Sequence, residues 1–376
     1  MPKKVLVTGG AGFIGSHLVD KLIELDHRVR VFDNLEPQVH GDKQEIPNYL
    51  NKECEFIRGD IRSREKLKRA LEGVEIIFHQ AALVGVGQSM YEIERYIEAN
   101  TLGTANLLDI LANEKHNSVE KLIVASSMSI YGEGKYSCKN CGIVFPKLRS
   151  LEQLRKRDWE MKCPICRRSL VCLATDEDKP LYPTSVYAIS KRDQEEMCLN
   201  IGRAYGIPTV ALRYFNVYGP RQALSNPYTG VAAIFSARIK NHHNPIIFED
   251  GLQSRDFIYV TDIVQADILA MEKEEANFEV FNVGTGRKLT ILDIANILIE
   301  KLGKDELHPE IVSKYREGDI RHCYADISKI KEKLGYKPEV KFEEGISKLI
   351  NWAKKQKAVD RFEKSKKELE KKRLTI

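Results

Sequence analysis

Short apolar runs recur along the first part of the chain: Val5-Leu6-Val7, Val31-Phe32 within Arg28–Phe32, Phe56-Ile57 after Glu55, Ile76-Ile77-Phe78 after Glu75, and Leu122-Ile123-Val124-Ala125 after Lys121. Most are too continuous for a strand with one wet face. Runs of this kind are strands buried on both sides, as in a parallel sheet covered by helices. Stretches with helical spacing lie between them. Leu18, Leu22, Ile23 and Leu25 follow the first run, a long helix is predicted over roughly Ile93–Ala112, and another begins near Pro183. The alternation predicts an α/β fold, a doubly wound parallel sheet whose ligands lie at the C-terminal ends of its strands.

The first strand breaks into Thr8-Gly9-Gly10-Ala11-Gly12-Phe13-Ile14-Gly15. Gly9 permits the tight turn, Gly12 lets a diphosphate approach the backbone, and Gly15 lets the next helix sit close on the strand. The free N–H groups and dipole of that helix favour an anion. The second strand ends in Asp33, eighteen residues after Gly15. A carboxylate there hydrogen-bonds both ribose hydroxyls of an adenosine and repels a 2′-phosphate, which selects NAD over NADP. This is the dinucleotide-binding form of the Rossmann fold. Cofactor contacts are expected from Gly9, Gly12, Phe13, Ile14, Gly15, Asp33, Asn34, Asp60, Ile61, Ala81 and Ala82. Asp60 is placed to accept from the adenine amino group, with a helix N-cap before Ser63 as the other reading. His79 is read as a packed strand-end residue.

The fifth strand ends in Ser126-Ser127-Met128-Ser129-Ile130-Tyr131-Gly132, which puts Ser127 at the ligand edge. In the helix after Pro183, Tyr187 and Lys191 are four apart and so share a face. Such pairs decorate many helices without any catalytic role. Beside a dinucleotide site and a strand-end serine, an ammonium next to a phenol reads instead as a device that favours phenolate.

Together these stretches resemble the extended short-chain dehydrogenase/reductases, specifically the nucleotide-sugar epimerases and dehydratases. The resemblance runs from about Lys3 to Trp352, excepting one insertion. It also rests on Arg213-Tyr214-Phe215-Asn216-Val217-Tyr218-Gly219-Pro220, Arg255-Asp256-Phe257 with Val260 and Asp262, Asn282-Val283-Gly284, and Arg316-Glu317-Gly318-Asp319. It implies a catalytic set of Ser127, Tyr187 and Lys191, the last two also touching NAD. It places Asn216 and Arg255 near the substrate diphosphate and Arg316 at the nucleotide end. Two arginines suit that task, since guanidinium groups grip phosphate bidentately. Surface ion pairs with Asp256 or Asp319 are the alternative.

Dehydratases of the family carry an Asp-Glu pair just after the serine, where this chain has Met128 and Ser129. Neither can do acid–base work. Oxidation and re-reduction at one carbon remains, so the expected activity is an NAD-dependent nucleotide-sugar 4-epimerase with NAD tightly held and no net redox change. The stretch Gly219–Phe235 is most similar to dTDP-L-rhamnose 4-epimerases, which form dTDP-6-deoxy-L-talose, and UDP-glucose 4-epimerases are the alternative. Cys323 falls where the resemblance puts a residue that gates pocket size. An NAD-binding regulatory or nucleic-acid-binding module is the reading from another class. The intact Ser127, Tyr187 and Lys191 weigh against it.

The formal net charge of +5 hides two basic segments. Residues 135–174 carry ten Lys/Arg against three Asp/Glu, and Lys354–Arg373 carries ten against four, so the rest of the chain is acidic. No basic nucleic-acid surface is indicated on the main fold. Four of the eight cysteines form Cys138-x-x-Cys141 and Cys163-x-x-Cys166, with twenty-one residues between the pairs. That spacing predicts a four-cysteine zinc ribbon, structural because four thiolates leave no open position. Residues 1–134 and 175–220 are read as the NAD-binding domain, 135–174 as the inserted ribbon, 221–353 mainly as a smaller C-terminal substrate lobe with segments returning to the first domain, and 354–376 as a charged, solvated helical tail. The resemblance further implies a homodimer through the helices Ile93–Ala112 and Pro183–Tyr205. No signal-peptide pattern opens the chain and no apolar run reaches membrane-spanning length, so a cytoplasmic enzyme is expected.

Overall fold

The computed structural model describes residues 1–114, 118–316 and 318–375. Five of its strands are those expected from the apolar runs: β1 (Lys4–Thr8), β2 (Arg28–Asp33), β3 (Glu55–Arg58), β4 (Ile76–His79) and β5 (Lys121–Ser127). Three short strands follow in the insertion: β6 (Lys135–Cys138), β7 (Gly142–Val144) and β8 (Val171–Leu173). Then come β9 (Thr209–Tyr214), β10 (Asn216–Tyr218), β11 (Ile246–Ile247), β12 (Ser254–Tyr259), β13 (Val280–Val283) and β14 (Lys288–Thr290). Seven strands make one parallel sheet in the order β13-β9-β5-β4-β1-β2-β3. The order reverses between β1 and β4, which opens a crevice at their C-terminal ends.

The continuous apolar runs have a simple cause. Successive side chains of a strand point to opposite faces, and here both faces are covered. Val5 and Val7 of β1 pack with Leu18, Val19 and Leu22 of helix Phe13–Glu24 and with Ile263 of helix Val260–Glu272. Leu6 points the other way, into a cluster with Leu67, Leu107, Leu111, Cys198 and Leu199. Each such side chain, fully buried, contributes about 1.5–3 kcal/mol.

The predicted helix Ile93–Ala112 is one continuous run with a widened middle: α over Ile93–Tyr96, π over Ile97–Leu102, and α again over Gly103–Asn113. The wide turn carries Asn100 inward. Its side chain accepts from the Leu83 amide (2.8 Å) and donates to the Leu83 carbonyl (3.1 Å) and to Ser190 Oγ (2.9 Å). It thereby ties the loop after β4 to helix Val186–Tyr205. A π turn at such a place is a common feature of functional sites.

The second lobe packs β10, β12 and β14 against helices Val231–Lys240, Ile291–Leu302 and Phe342–Lys354 around Phe235, Phe257, Leu298, Phe342 and Leu349. The insertion forms an antiparallel sheet in the order β7-β6-β8, with its own small core of Tyr136, Cys138, Val144, Met161 and Cys163. It docks on the second lobe through charge. Arg149 pairs with Glu249 at 2.8 Å through both guanidinium ends, and fully buried Arg321 reaches Glu160 of the insertion (2.6 Å), Asp250 (2.6 Å) and Glu249 (3.1 Å).

The expectation of a solvated tail is not met. Helix Phe362–Lys371 turns back on the molecule and buries Phe362, Ser365 and Leu369. Its charged residues are spaced so that an apolar stripe remains, and that stripe finds Ile246 and Phe248 of the second lobe. Among the described residues no helix is long and apolar enough to cross a membrane.

Candidate active site

The crevice at the C-terminal ends of β1 to β5 is a cleft of about 550 Å³. All the residues expected to hold the cofactor line it, from Gly9, Gly12, Phe13, Ile14 and Gly15 through Asp33, Asn34, Asp60 and Ile61 to Ala81 and Ala82. Ser127, Tyr187, Lys191 and Asn216 line it too. Arg255 and Arg316 face a second cavity of about 280 Å³, which shares Asn216 with the first. The structure therefore brings the two sequence-predicted groups into one continuous trough.

At the cofactor end, Gly9 has φ +70° and a Cβ there would stand 2.9 Å from the Ala81 backbone. A Cβ on Gly15 would meet the Gly9 carbonyl at 2.3 Å, so the helix starts hard against the loop. Gly12 caps that helix with no side-chain bond, leaving first-turn N–H groups for an anion. Asp33 is buried, with Oδ2 accepting from the Ala11 amide (3.0 Å) and Oδ1 from the Leu35 amide (2.8 Å). Burial pushes its carboxyl up and those two amides pull it back. Asp60 accepts from Asn34 Nδ2 and from the Arg62 amide and Nε, all at 2.9 Å. Burial raises it, but the Arg62 and Asn34 bonds outweigh that and hold it at about 2. The N-cap of helix Arg64–Ala70 is Ser63 and not Asp60.

Helix Val186–Tyr205 positions the reactive groups. Ser185 caps it by accepting from the Ala188 amide, and Gly206 ends it in a left-handed turn. Tyr187 and Lys191 share its inner face. The sequence reading has the ammonium pull the phenol down, and the geometry differs. Burial pushes Tyr187 up, the Ser127 hydroxyl opposes that, and the Lys191 ammonium donates to Gln194 Oε1 at 2.8 Å. Burial brings Lys191 itself down to about 8. Gln194 Nε2 in turn donates to Thr104 Oγ1 (2.8 Å) and lies 3.2 Å from His79 Nε2. His79, also 2.8 Å from Thr8 Oγ1, is held neutral, near 3, by burial and by Lys191. It is a packed residue, as expected from its strand end.

The serine is fixed from two sides. Its Oγ lies 2.9 Å from Ser129 Oγ and accepts from the Ser129 amide at 3.2 Å. Its neighbour Ser126 donates to Glu195 (2.6 Å), which Arg213 grips with Nε and Nη2. Arg213 also donates to Tyr131 Oη (2.7 Å), and Tyr131 to Asn282 Oδ1 (2.7 Å). These motif residues are thus a buried brace that joins β5, β9 and β13 to the helix carrying Tyr187. Asp256 is likewise structural, accepting from Thr285, Gly286 and Ala325 amides.

Neither arginine makes the ion pair weighed for it. Arg255 donates to the carbonyls of Ser254 (2.8 Å), Ile320 (2.6 Å) and Arg321 (3.0 Å), and Arg316 lies 4.2 Å over the Phe248 ring. Glu317 of that motif lies outside the described residues. Cys323 is fully buried beside Thr175 and lines neither cavity, so it does not gate this trough. No residue of 135–174 lines either cavity, so the insertion does not wall the trough, although Arg149 reaches the Asp319 carbonyl at the edge of the second cavity. Sequence reasoning missed Gln80 and Tyr214, which line the cleft, and Asp267, buried behind them. Tyr214 Oη donates to Asp267 (2.7 Å), Gln80 Nε2 lies 2.8 Å from Tyr214 Oη, and burial lifts Asp267 to about 7. A polar residue directly after β4 was the available signal. Gln194, three residues after Lys191 on the same helix face, was another.

In the insertion, the Sγ atoms of Cys138, Cys141, Cys163 and Cys166 all lie within 4.8 Å of one another, with Cys138 and Cys166 at 3.5 Å. Four soft donors converging in this way fit a tetrahedral metal ion.

Residues 5–143 match a family model described as the NAD dependent epimerase/dehydratase family, and residues 170–349 match one described as GDP-mannose 4,6 dehydratase. The gap between them falls within the insertion. The chain is 35% identical over 353 residues to dTDP-L-rhamnose 4-epimerase from Burkholderia thailandensis, covering 93% of this chain and 94% of that protein. A UDP-glucose 4-epimerase from Thermotoga maritima, solved with UDP-glucose, superposes with a TM-score of 0.75 at 34% identity, covering 94% and 99% of the two chains. A UDP-glucuronic acid 4-epimerase from Bacillus cereus, solved with UDP-glucuronic acid and NAD, gives 0.75 at 28% identity, covering 93% and 99%. With its dinucleotide cleft and its serine, tyrosine and lysine, and with fold and sequence shared over nearly the whole length, the chain belongs to the NAD-dependent epimerase/dehydratase family of extended short-chain dehydrogenase/reductases.

Proposed function

We propose that this protein is a nucleotide-sugar 4-epimerase, with dTDP-L-rhamnose and dTDP-6-deoxy-L-talose as its substrate pair. The observation that carries the reading is the convergence of Ser127, Tyr187 and Lys191 on one trough with Asn216, Arg255 and Arg316. The glycine cradle and Asp33 suit NAD, held through the first-turn amides of helix Phe13–Glu24, through Asp33 at the ribose and through Lys191. Bound there, it supplies hydride acceptance and return at the sugar C4 with no net redox change.

Tyr187 takes the proton from the sugar O4 as phenolate, a form that burial by itself disfavours, and later returns it. Ser127, held by Ser129, hydrogen-bonds O4 and relays that proton. Lys191, brought down to about 8 by burial and bonded to Gln194 Oε1, lies one helical turn from Tyr187. Arg255 and Arg316 would hold the diphosphate and nucleotide while the ketosugar turns over between the two hydride transfers. Met128 is buried and Ser129 bonds Ser127, so no further acid–base pair stands where a dehydratase needs one. The Burkholderia relative supports the rhamnose substrate, and the Thermotoga neighbour supports UDP-glucose as the second reading. Zinc is proposed at Cys138, Cys141, Cys163 and Cys166 as a structural ion, since four thiolates close its coordination. A homodimer is proposed through helices that expose Ile93, Leu102 and Ile189.

Incubating the protein, without added cofactor, with dTDP-L-rhamnose, UDP-glucose and UDP-glucuronic acid and separating the products tests this reading. Formation of the talose epimer supports it, and no epimer from any of the three refutes it.

A further inference from the structure

The segment 360–375 crosses the trough and is fastened on both banks. On the second lobe, Asp360 pairs with Arg238 (3.3 Å), Glu370 with Lys314 (2.9 Å), and Phe362 lies 4.5 Å under the Arg238 guanidinium. On the other bank, Tyr228 Oη donates to Glu368 (3.3 Å) and itself meets Tyr91 Oη (2.6 Å), and Lys372 stands 5.9 Å over the Tyr91 ring. Thr375 pairs with Arg316 as an antiparallel bridge.

Beneath this strap lies the 280 Å³ cavity. Its inner wall carries Asn216, Arg255 and Arg316, and its outer wall is Phe362, Lys366, Leu369 and Thr375 of the strap. Four buried polar atoms here have no partner among the described residues: Asn216 Oδ1, Gln253 Oε1, Arg316 Nε and Thr375 Oγ1. A buried polar atom left unpaired is costly, so four around one cavity mark a place suited to a polar ligand. Lys366, 3.8 Å from Glu363, adds a third cation to the two arginines. Phe248, under the Arg316 guanidinium, and Ile234 add aromatic and aliphatic surface to the lining. Cations, unpartnered donors and acceptors, and an aromatic wall together suit a nucleoside diphosphate.

We propose that segment 360–375 forms the outer wall of the nucleotide end of the substrate site, Lys366 binding phosphate oxygens and Thr375 Oγ1 a polar atom of the nucleoside. This rests on the reading of the substrate as a nucleotide sugar. It makes the strap a determinant of nucleotide affinity while the reacting carbon, in the other cavity, is untouched.

The test is calorimetric titration of the purified NAD-containing protein with dTDP and with UDP, alongside Lys366→Met, Thr375→Val and a chain ending at residue 359. Each point variant is expected to weaken diphosphate binding about fivefold to tenfold, and the shortened chain more, as loss of one hydrogen bond and of several requires. KM for the sugar nucleotide rises in step, while kcat and bound NAD stay within twofold. Equal affinity in wild type and both point variants, or tighter binding by the shortened chain, overturns the role of the strap. No binding of either diphosphate by the wild type overturns the nucleotide-sugar reading itself.

Discussion

Replacing Arg149 with methionine isolates the bond that fastens the insertion to the second lobe. The guanidinium is 1% exposed and its partner Glu249 is 3% exposed, with two parallel contacts of 2.8 Å. It also donates to the carbonyls of Trp159 (3.0 Å) and Asp319 (3.2 Å). Breaking a buried pair from one side costs about 3–5 kcal/mol, because the remaining charge is stranded. Glu249 keeps Arg321 at 3.1 Å, so the lower end applies, about 3 kcal/mol. A chain of 376 residues unfolds with an entropy of about 0.8 kcal/mol per degree, which turns that cost into a fall in Tm of about 4 °C. Scanning calorimetry of the purified protein reads it. The double variant Arg149→Met/Glu249→Leu is expected to lose less than the sum of the two singles by at least about 1 kcal/mol, since neither charge is then stranded. A Tm change below about 1 °C, or strict additivity, would show that the pair does not hold the insertion and would refute the reasoning.

Tyr187→Phe is expected to lower kcat by about 10²–10⁴-fold, with NAD still released on denaturation and dTDP affinity unchanged. Turnover within tenfold of wild type, or NADP in the extract, contradicts the roles given to Tyr187 and Asp33. Elemental analysis should find one zinc per chain, and Cys163→Ser/Cys166→Ser should lose it and raise KM through the loosened Arg149–Asp319 contact while NAD stays bound. Disulfides in place of zinc, or unchanged kinetics in the zinc-free variant, oppose this. Glu160 is held at about 2 by the hydrogen bond from His322 and by Arg321, against burial. Its folded pKa is depressed, so its stabilisation is complete above the ordinary value of 4.5 and fades as pH falls from 4.5 towards 2. The gap between wild type and Glu160→Gln in urea midpoint should therefore narrow over that window, and a constant gap would remove the assigned bond.

The amino-acid order alone determined the features that depend on neighbours in the chain. Val5-Leu6-Val7 must be a doubly buried strand, because no alternating wet face is written into it. Gly9 to Gly15 must be a turn into a helix, Asp33 must fall at the end of β2, and Tyr187 and Lys191 must share a helix face, because each follows from a local repeat. The two Cys-x-x-Cys pairs mark a candidate metal site in the same way. The tertiary structure decided everything that needs a partner far along the chain. Asn100 widens its helix because Leu83 and Ser190 await it. Lys191 turns to Gln194 and leaves the Tyr187 phenol raised, which spacing could not show because rotamer and burial settle it. Arg149 finds Glu249 one hundred residues away. The tail has the composition of a solvated helix, and only the apolar patch of Ile246 and Phe248 draws Phe362 down and swings the strap across the trough. A local pattern states which face of an element is greasy or charged, and only the folded chain supplies the surface that such a face meets.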